Sequence, residues 1–227
     1  MTIDPRHFAE GVVLVYAALL PIVNPLGAMP VFLAMTRYSN DAMRTTLARK
    51  VTINSFVLLM SSVFIGTYVL EFFGISIPVV QVAGGLVVCS VAWDLLRRAD
   101  VSTKSDADDL RDPDSVATTA FYPLTLPLTV GPGSISVAIT IGANHPQTVR
   151  TFVAASLSSL LGVLLTCVTV YLCYRYAERL SKWLGTTGTA VVVRLSAFIL
   201  LCIGVQIMWN GIDALTGISG RPHVSPT

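Results

Sequence analysis

Apolar positions gather into six long blocks: Phe8–Met35, Val51–Phe73, Ile75–Leu96, Val116–Ile141, Thr151–Tyr174 and Ala190–Leu215. Within each block they run on, without the strict alternation of a half-buried strand. A hydrocarbon core about 30 Å thick needs about 20 apolar residues in helical form. Each block supplies that length, so the pattern predicts six spanning helices rather than barrel strands. The first block does not read as a cleaved signal: Asp4, Arg6 and Glu10 flank it, the apolar run is too long, and no small-residue cleavage site follows. The expected fold class is an all-α polytopic membrane protein.

Composition agrees. The 227 residues are 53% apolar and 12% charged, with a mean hydropathy of +0.71. A soluble domain carries about 25% charged residues, so soluble enzymes, disordered proteins and nucleic-acid binders are excluded. The net charge of +2 implies no polyanionic partner. Its distribution is more informative. Connections after blocks one, three and five carry eleven Lys and Arg: Arg37, Arg44, Arg49, Lys50, Arg97, Arg98, Lys104, Arg111, Arg175, Arg179 and Lys182. The remaining flanks carry three, Arg6, Arg150 and Arg221, while Arg194 lies near the start of the last block and snorkels. This asymmetry predicts cytoplasmic loops at those three connections and both termini outside, which is periplasmic in a bacterial inner membrane. Acidic residues in the third connection, Asp100 to Asp114, count little in that rule.

That polar connection, residues 98–115, reads as a cytoplasmic linker between a three-helix repeat over 1–97 and another over 116–215, with a tail at 216–227. An odd number of spans per half makes the repeat inverted. The first block of each half carries a Pro/Gly interruption: Pro21-Ile22-Val23-Asn24-Pro25-Leu26-Gly27 in one, Pro127-Leu128-Thr129-Val130-Gly131-Pro132-Gly133-Ser134 in the other. Asn24 and Pro25 suit the N-cap and first position of a new helix. Ser134 is the candidate cap after Pro132. Each break would start a half-helix whose free N–H groups and positive dipole end suit a carboxylate. A single interruption reads best as a packing kink; two in matching places of inverted halves read as a binding site. Pro21 and Thr129 support the two breaks. Trp93-Asp94 and Trp209-Asn210 form a weaker echo.

No charge falls mid-block: Glu10, Glu71, Asp94, Arg194 and Asp213 lie near block ends. Polar residues at depth, among them Asn24, Thr129, Ser134, Ser136 and Gln206, are uncharged. A small zwitterionic substrate fits this set. Asp94 has two readings, coupling to a proton or sodium co-ion, or an interfacial carboxylate paired with Arg97 or Arg98. Cys89, Cys167, Cys173 and Cys202 read as apolar packing, and His7, His145 and His223 as solvated flank residues. No cofactor, metal site or intramembrane catalytic motif is expected, nor any enzyme activity. Oligomeric state is not readable.

The stretch Asn24-Pro25-Leu26-Gly27-Ala28-Met29-Pro30-Val31-Phe32-Leu33 resembles the first-helix signature of the MarC family, and Pro127 to Ile135 resembles its second. The resemblance covers essentially the whole chain. It implies a polytopic bacterial inner-membrane protein, in a family where some relatives move small neutral amino acids such as glycine and alanine. It places Asn24, Pro25, Gly27, Gly131, Pro132 and Gly133 at the motif positions. The expected function is therefore alternating-access transport of small neutral amino acids. Its candidate substrate site comprises Asn24, Pro25, Leu26, Gly27, Gly131, Pro132, Gly133 and Ser134. The alternative is a non-transporting membrane scaffold or regulator.

Overall fold

A computed structural model describes residues 5–36, 39–98, 118–145 and 149–217. Their elements are all helical: α1 (Pro5–Val23), α2 (Pro25–Met35), α3 (Asp41–Phe72), α4 (Ile77–Arg98), α5 (Ala120–Thr129, wide-turned), α6 (Pro132–Ala143), α7 (Val149–Arg175) and α8 (Ala177–Thr216). Helices α1, α3, α4, α7 and α8 are each long and apolar enough to cross a membrane, and α5 with α6, bent by 71°, makes another such length. Large apolar side chains such as Phe72, Phe73, Trp93, Trp183 and Phe198 stand exposed along them, which suits lipid rather than water. Beyond Arg98 the expected linker lies outside the described residues, as does the tail after Gly217.

Two helices exceed their apolar blocks. Helix α3 begins at Asp41, not Val51, because Asn40 caps it: its side chain accepts the Met43 N–H at 2.8 Å. Arg44 on this extension pairs with Glu178 at 2.8 Å and reaches the carbonyls of Thr36 and Ser39, both at 3.4 Å, satisfying oxygens past the end of α2. Helix α8 begins at Ala177, thirteen residues ahead of its block, and is broken at Gly185, whose φ of 66° belongs to the left-handed region glycine favours.

Helices α1 and α7 run parallel: Ser158 donates to the Phe8 carbonyl and Tyr16 meets Thr169, at 3.3 and 3.2 Å. Helices α4 and α8 run antiparallel at close range. A Cβ on Gly85 would lie 2.7 Å from the Gly204 carbonyl, and one on Gly211 2.6 Å from that of Pro78, the small-residue approach that packs helices in lipid. The start of α1 and the end of α8 therefore share a terminal face. Arg44, Arg97, Arg175 and Lys182 mark the opposite, basic face.

The packing has a further regularity. The α1–α2 pair rests on α7 and α8 of the second half, and the α5–α6 pair rests on α3 and α4 of the first, while α3 meets α7 and α4 meets α8. One buried cluster, around Phe32, Leu47, Val51, Leu124 and Tyr174, fills the basic side. Another, around Leu19, Leu59, Val63, Val130, Ala138 and Val163, fills the middle.

Candidate functional site

The first break is one residue long. Asn24 takes left-handed dihedrals (φ 45°, ψ 57°) between α1 and α2, a conformation asparagine tolerates better than most residues. Its N–H still donates to Leu20 at 2.9 Å and its carbonyl accepts from Ala28 at 3.0 Å. Its side-chain Oδ1 accepts the Gly27 N–H at 3.1 Å. The expected cap and Pro25 at the first helical position are thus both present. Gly27 is needed for this fold-back, since a Cβ there would lie 2.8 Å from Asn24 Cγ. Pro21 sits inside α1 just ahead of the turn, where it leaves the Ala17 carbonyl without a helical donor.

The second break is spread over ten residues. Tyr122 and Leu126 have extended dihedrals inside α5, and the Tyr122-Pro123 and Leu126-Pro127 bonds are cis. Pro123 and Pro127 have no N–H to donate. Threonine hydroxyls add bonds of their own across the break: Thr125 donates to the Ala120 carbonyl at 2.6 Å and Thr129 to that of Leu124 at 2.7 Å. With its one proton committed to Leu124, Thr129 Oγ1 accepts from the Tyr174 hydroxyl at 2.9 Å. Tyr174 is fully buried and stacks on Phe32 of α2, ring centroids 4.3 Å apart and 8° from parallel. One ring therefore touches both broken helices.

Helix α6 then starts at Pro132 with Gly131 as its N-cap, and no side chain caps it. Ser134 is not the cap. Its hydroxyl donates backwards to the Gly131 carbonyl at 2.9 Å. The N–H groups of Gly133 and Ser134 stand in the first turn, where helix geometry supplies no acceptor. Gly133 is also a contact point, for a Cβ there would run into Val88 of α4.

The breaks meet at adjoining cavities. One, of about 440 Å³, is walled by Ile22, Asn24, Val91, Asp94, Pro127 and Leu200 among others. The next, of about 230 Å³, shares Ile22, Val91, Pro127, Leu128 and Leu200, and adds Thr129 and Gly131 to Ser134. Of the expected site, Asn24, Asp94, Thr129, Gly131, Pro132, Gly133 and Ser134 come together here. Pro21, Pro25, Leu26 and Gly27 line neither cavity: Leu26 faces outward, 41% exposed, and Pro25 and Gly27 shape the turn from behind. Asn210 is also absent. It accepts from Gln206 at 2.8 Å on the exposed side of α8. Sequence reasoning missed Tyr174 and Phe32, whose partners are remote in the chain.

A larger cavity, about 760 Å³, opens at the terminal face between α1, α6 and α7. His145 is in its wall, half-buried rather than solvated, edge-on to Phe64 and Phe152 with Nε2 3.0 Å from Ser159 Oγ. Burial lowers its pKa below the ordinary histidine value. Wall groups here are already paired: Asn144 donates to Thr140 at 2.9 Å and Ser158 to Phe8 at 3.3 Å. At the helix breaks, by contrast, the buried Asn24 Nδ2 has no hydrogen-bond partner.

The sequence model of MarC family integral membrane proteins matches residues 9–216. The chain belongs to the MarC family. An inner membrane protein MarC from Escherichia coli O139:H28 is 33% identical over 86% of this chain and 90% of its own length. Its Salmonella typhimurium counterpart is 31% identical over the same shares, and a UPF0056 membrane protein of Methanocaldococcus jannaschii is 29% identical over 88% and 95%. No solved structure matches the chain. As a MarC family member it is an integral membrane protein, and two of these relatives are named for the inner membrane.

Proposed function

We propose that this chain is an inner-membrane transporter of small neutral amino acids of the glycine and alanine class, holding substrate between its two helix breaks. One observation carries the reading: both breaks wall adjoining cavities that share Ile22, Val91, Pro127, Leu128 and Leu200. Non-helical backbone at membrane depth is tolerated where protein buries it or a cavity takes it up. Two such places meeting at one site is the architecture of secondary transporters.

In this reading the molecule is a pair of inverted three-helix halves. Exchanging α1–α2 with α5–α6, α3 with α7 and α4 with α8 carries the helix contacts between the halves onto one another, although α7 meets α8 with no matching contact of α3 with α4; this supports a pseudo-twofold relation. The basic face is cytoplasmic and both termini are periplasmic, in line with the Lys and Arg bias. The substrate carboxylate meets the first-turn N–H groups of Gly133 and Ser134 at the positive end of α6. Ile22, Val91, Leu128 and Leu200 contact its small side chain. Asp94, in the same wall, handles the ammonium or a co-ion, a proton or sodium. Rocking of one half against the other alternates access.

The test is uptake of labelled alanine and glycine by the purified protein in proteoliposomes, with and without proton and sodium gradients. Saturable uptake supports the proposal. Absence of both uptake and binding for every small amino acid tried would falsify it. Neutralising Asp94 is expected to weaken uptake and alter its pH or sodium dependence; an unchanged profile removes Asp94 from coupling.

A further inference from the structure

We propose that Tyr174 is a positioning residue of the substrate site: through one side chain it holds a wall of each cavity, and so sets how the two helix breaks stand to each other and how tightly substrate is held. The inference rests on the transport reading above and adds to it a helix that the cavities leave out. Among the described residues, none of α7 lines either cavity. Yet Tyr174, fully buried on α7, reaches both walls. One arm is its hydroxyl, which donates to Thr129 Oγ1 at 2.9 Å. Thr129, with Gly131 to Ser134 just after it, walls the smaller cavity. The other arm is its ring, stacked on Phe32 with centroids 4.3 Å apart and 8° from parallel. Ala28 and Val31, on the same helix as Phe32, wall the larger cavity.

Both arms are directional. Thr129 gives its own proton to the Leu124 carbonyl, so its oxygen can only accept, and the Tyr174 hydroxyl supplies the donor. The pair is closed to water, so removing either partner leaves a buried polar group unsatisfied. The stretch it holds is irregular: Tyr122 and Leu126 are extended ahead of Thr129, so helical bonding alone does not fix where Thr129 stands. The stack restrains α2 in the same way, since sliding the rings apart loses their overlap. Phenylalanine would keep the stack and lose the hydroxyl; tyrosine serves both. A binding constellation needs its groups held to within about 0.5 Å by supporting packing and hydrogen bonds. A substrate lying between two walls feels their separation, although Tyr174 itself does not touch it.

Three variants take the arms apart. Y174F keeps the ring and removes the hydroxyl, T129V removes its partner, and F32L removes the stack while the hydroxyl pair stays. In proteoliposomes each is expected to raise the KM for alanine about threefold or more, with kcat within about twofold of wild type. T129S, which keeps the hydroxyl, is expected to hold the wild-type KM. Y174F combined with T129V is expected to raise KM no further than T129V alone, because both break one bond. A merely structural role would lower thermal midpoints in detergent and leave KM unmoved in the protein that folds. Wild-type KM in Y174F and F32L, or additive rises in the Y174F/T129V double variant, with wild-type uptake intact, overturns this inference and leaves the transport reading standing. A wild-type protein that neither binds nor moves amino acids overturns both.

Discussion

The two helix breaks do the same thing by different means. At Asn24 a single residue in a left-handed conformation turns the chain, and its side chain closes the next helix. Across Tyr122–Gly131 the chain unwinds over ten residues, and threonine hydroxyls and a distant tyrosine tie the irregular backbone down. The first break is therefore local: its geometry is written in Asn24, Pro25 and Gly27. The second is tertiary: Thr129 holds its place through Tyr174, 45 residues away. A local break survives changes in its surroundings, whereas a tertiary one responds to them.

Substitutions can break the comparison. Gly133→Val should have the largest effect, because α6 would be pushed off Val88; a loss of about 3 kcal/mol, from overpacking, should show in detergent unfolding. Thr129→Val leaves the buried Tyr174 hydroxyl unpaired, at about 2 kcal/mol. Asn24→Ala should cost a similar amount, about 1 kcal/mol for the cap and about 1 for left-handed backbone. Here the breaks diverge. Adding Tyr174→Phe, about 1 kcal/mol alone, should be non-additive with Thr129→Val and additive with Asn24→Ala. Equal coupling to both would erase the distinction between local and tertiary. Ser134→Ala should change stability by less than about 0.5 kcal/mol, as its hydroxyl only bonds back to Gly131.

The smallest effect concerns pH. Burial depresses the pKa of His145, so between its folded and unfolded values the unfolded chain binds the extra proton. Stability from the neutral ring is present above the unfolded value of about 6.5 and is lost as pH falls below it. Thermal midpoints measured from pH 7.5 to 5.5 should fall, and His145→Gln should flatten the decline. Because His145 belongs to the terminal-face cavity, alanine affinity at the breaks should not change in that variant.

Sequence made the cap and the first helical position of the first break legible, through the Asn-Pro pair, but not its left-handed turn; and the N–H groups expected to be free there are not, since those of Gly27 and Ala28 both bond to Asn24. It located the second break but not its extent. Whether Tyr122 and Leu126 leave the helix depends on acceptors and donors supplied by tertiary contacts, which hydrophobic spacing does not encode. Ser134 misled for a related reason: the serine hydroxyl has two backbone partners within reach, and it bonded to the carbonyl behind it. The blocks found the spanning segments but not the polar overhangs of α3 and α8, because apolar length marks where lipid begins, not where hydrogen bonding ends. Asn210 looked equivalent to Asp94 through a shared tryptophan, yet its helix turns it toward Gln206. His145, flanked by polar residues, gave no sign of the aromatic rings that Phe64 and Phe152 bring to it.

The most direct test is a cryo-electron-microscopy map of the protein in lipid with saturating alanine. Ligand density should lie against Asn24 and the first turn of α6, walled by Ile22, Val91 and Leu200. Ligand density beside His145 at the terminal face, with only lipid at the two helix breaks, would contradict it.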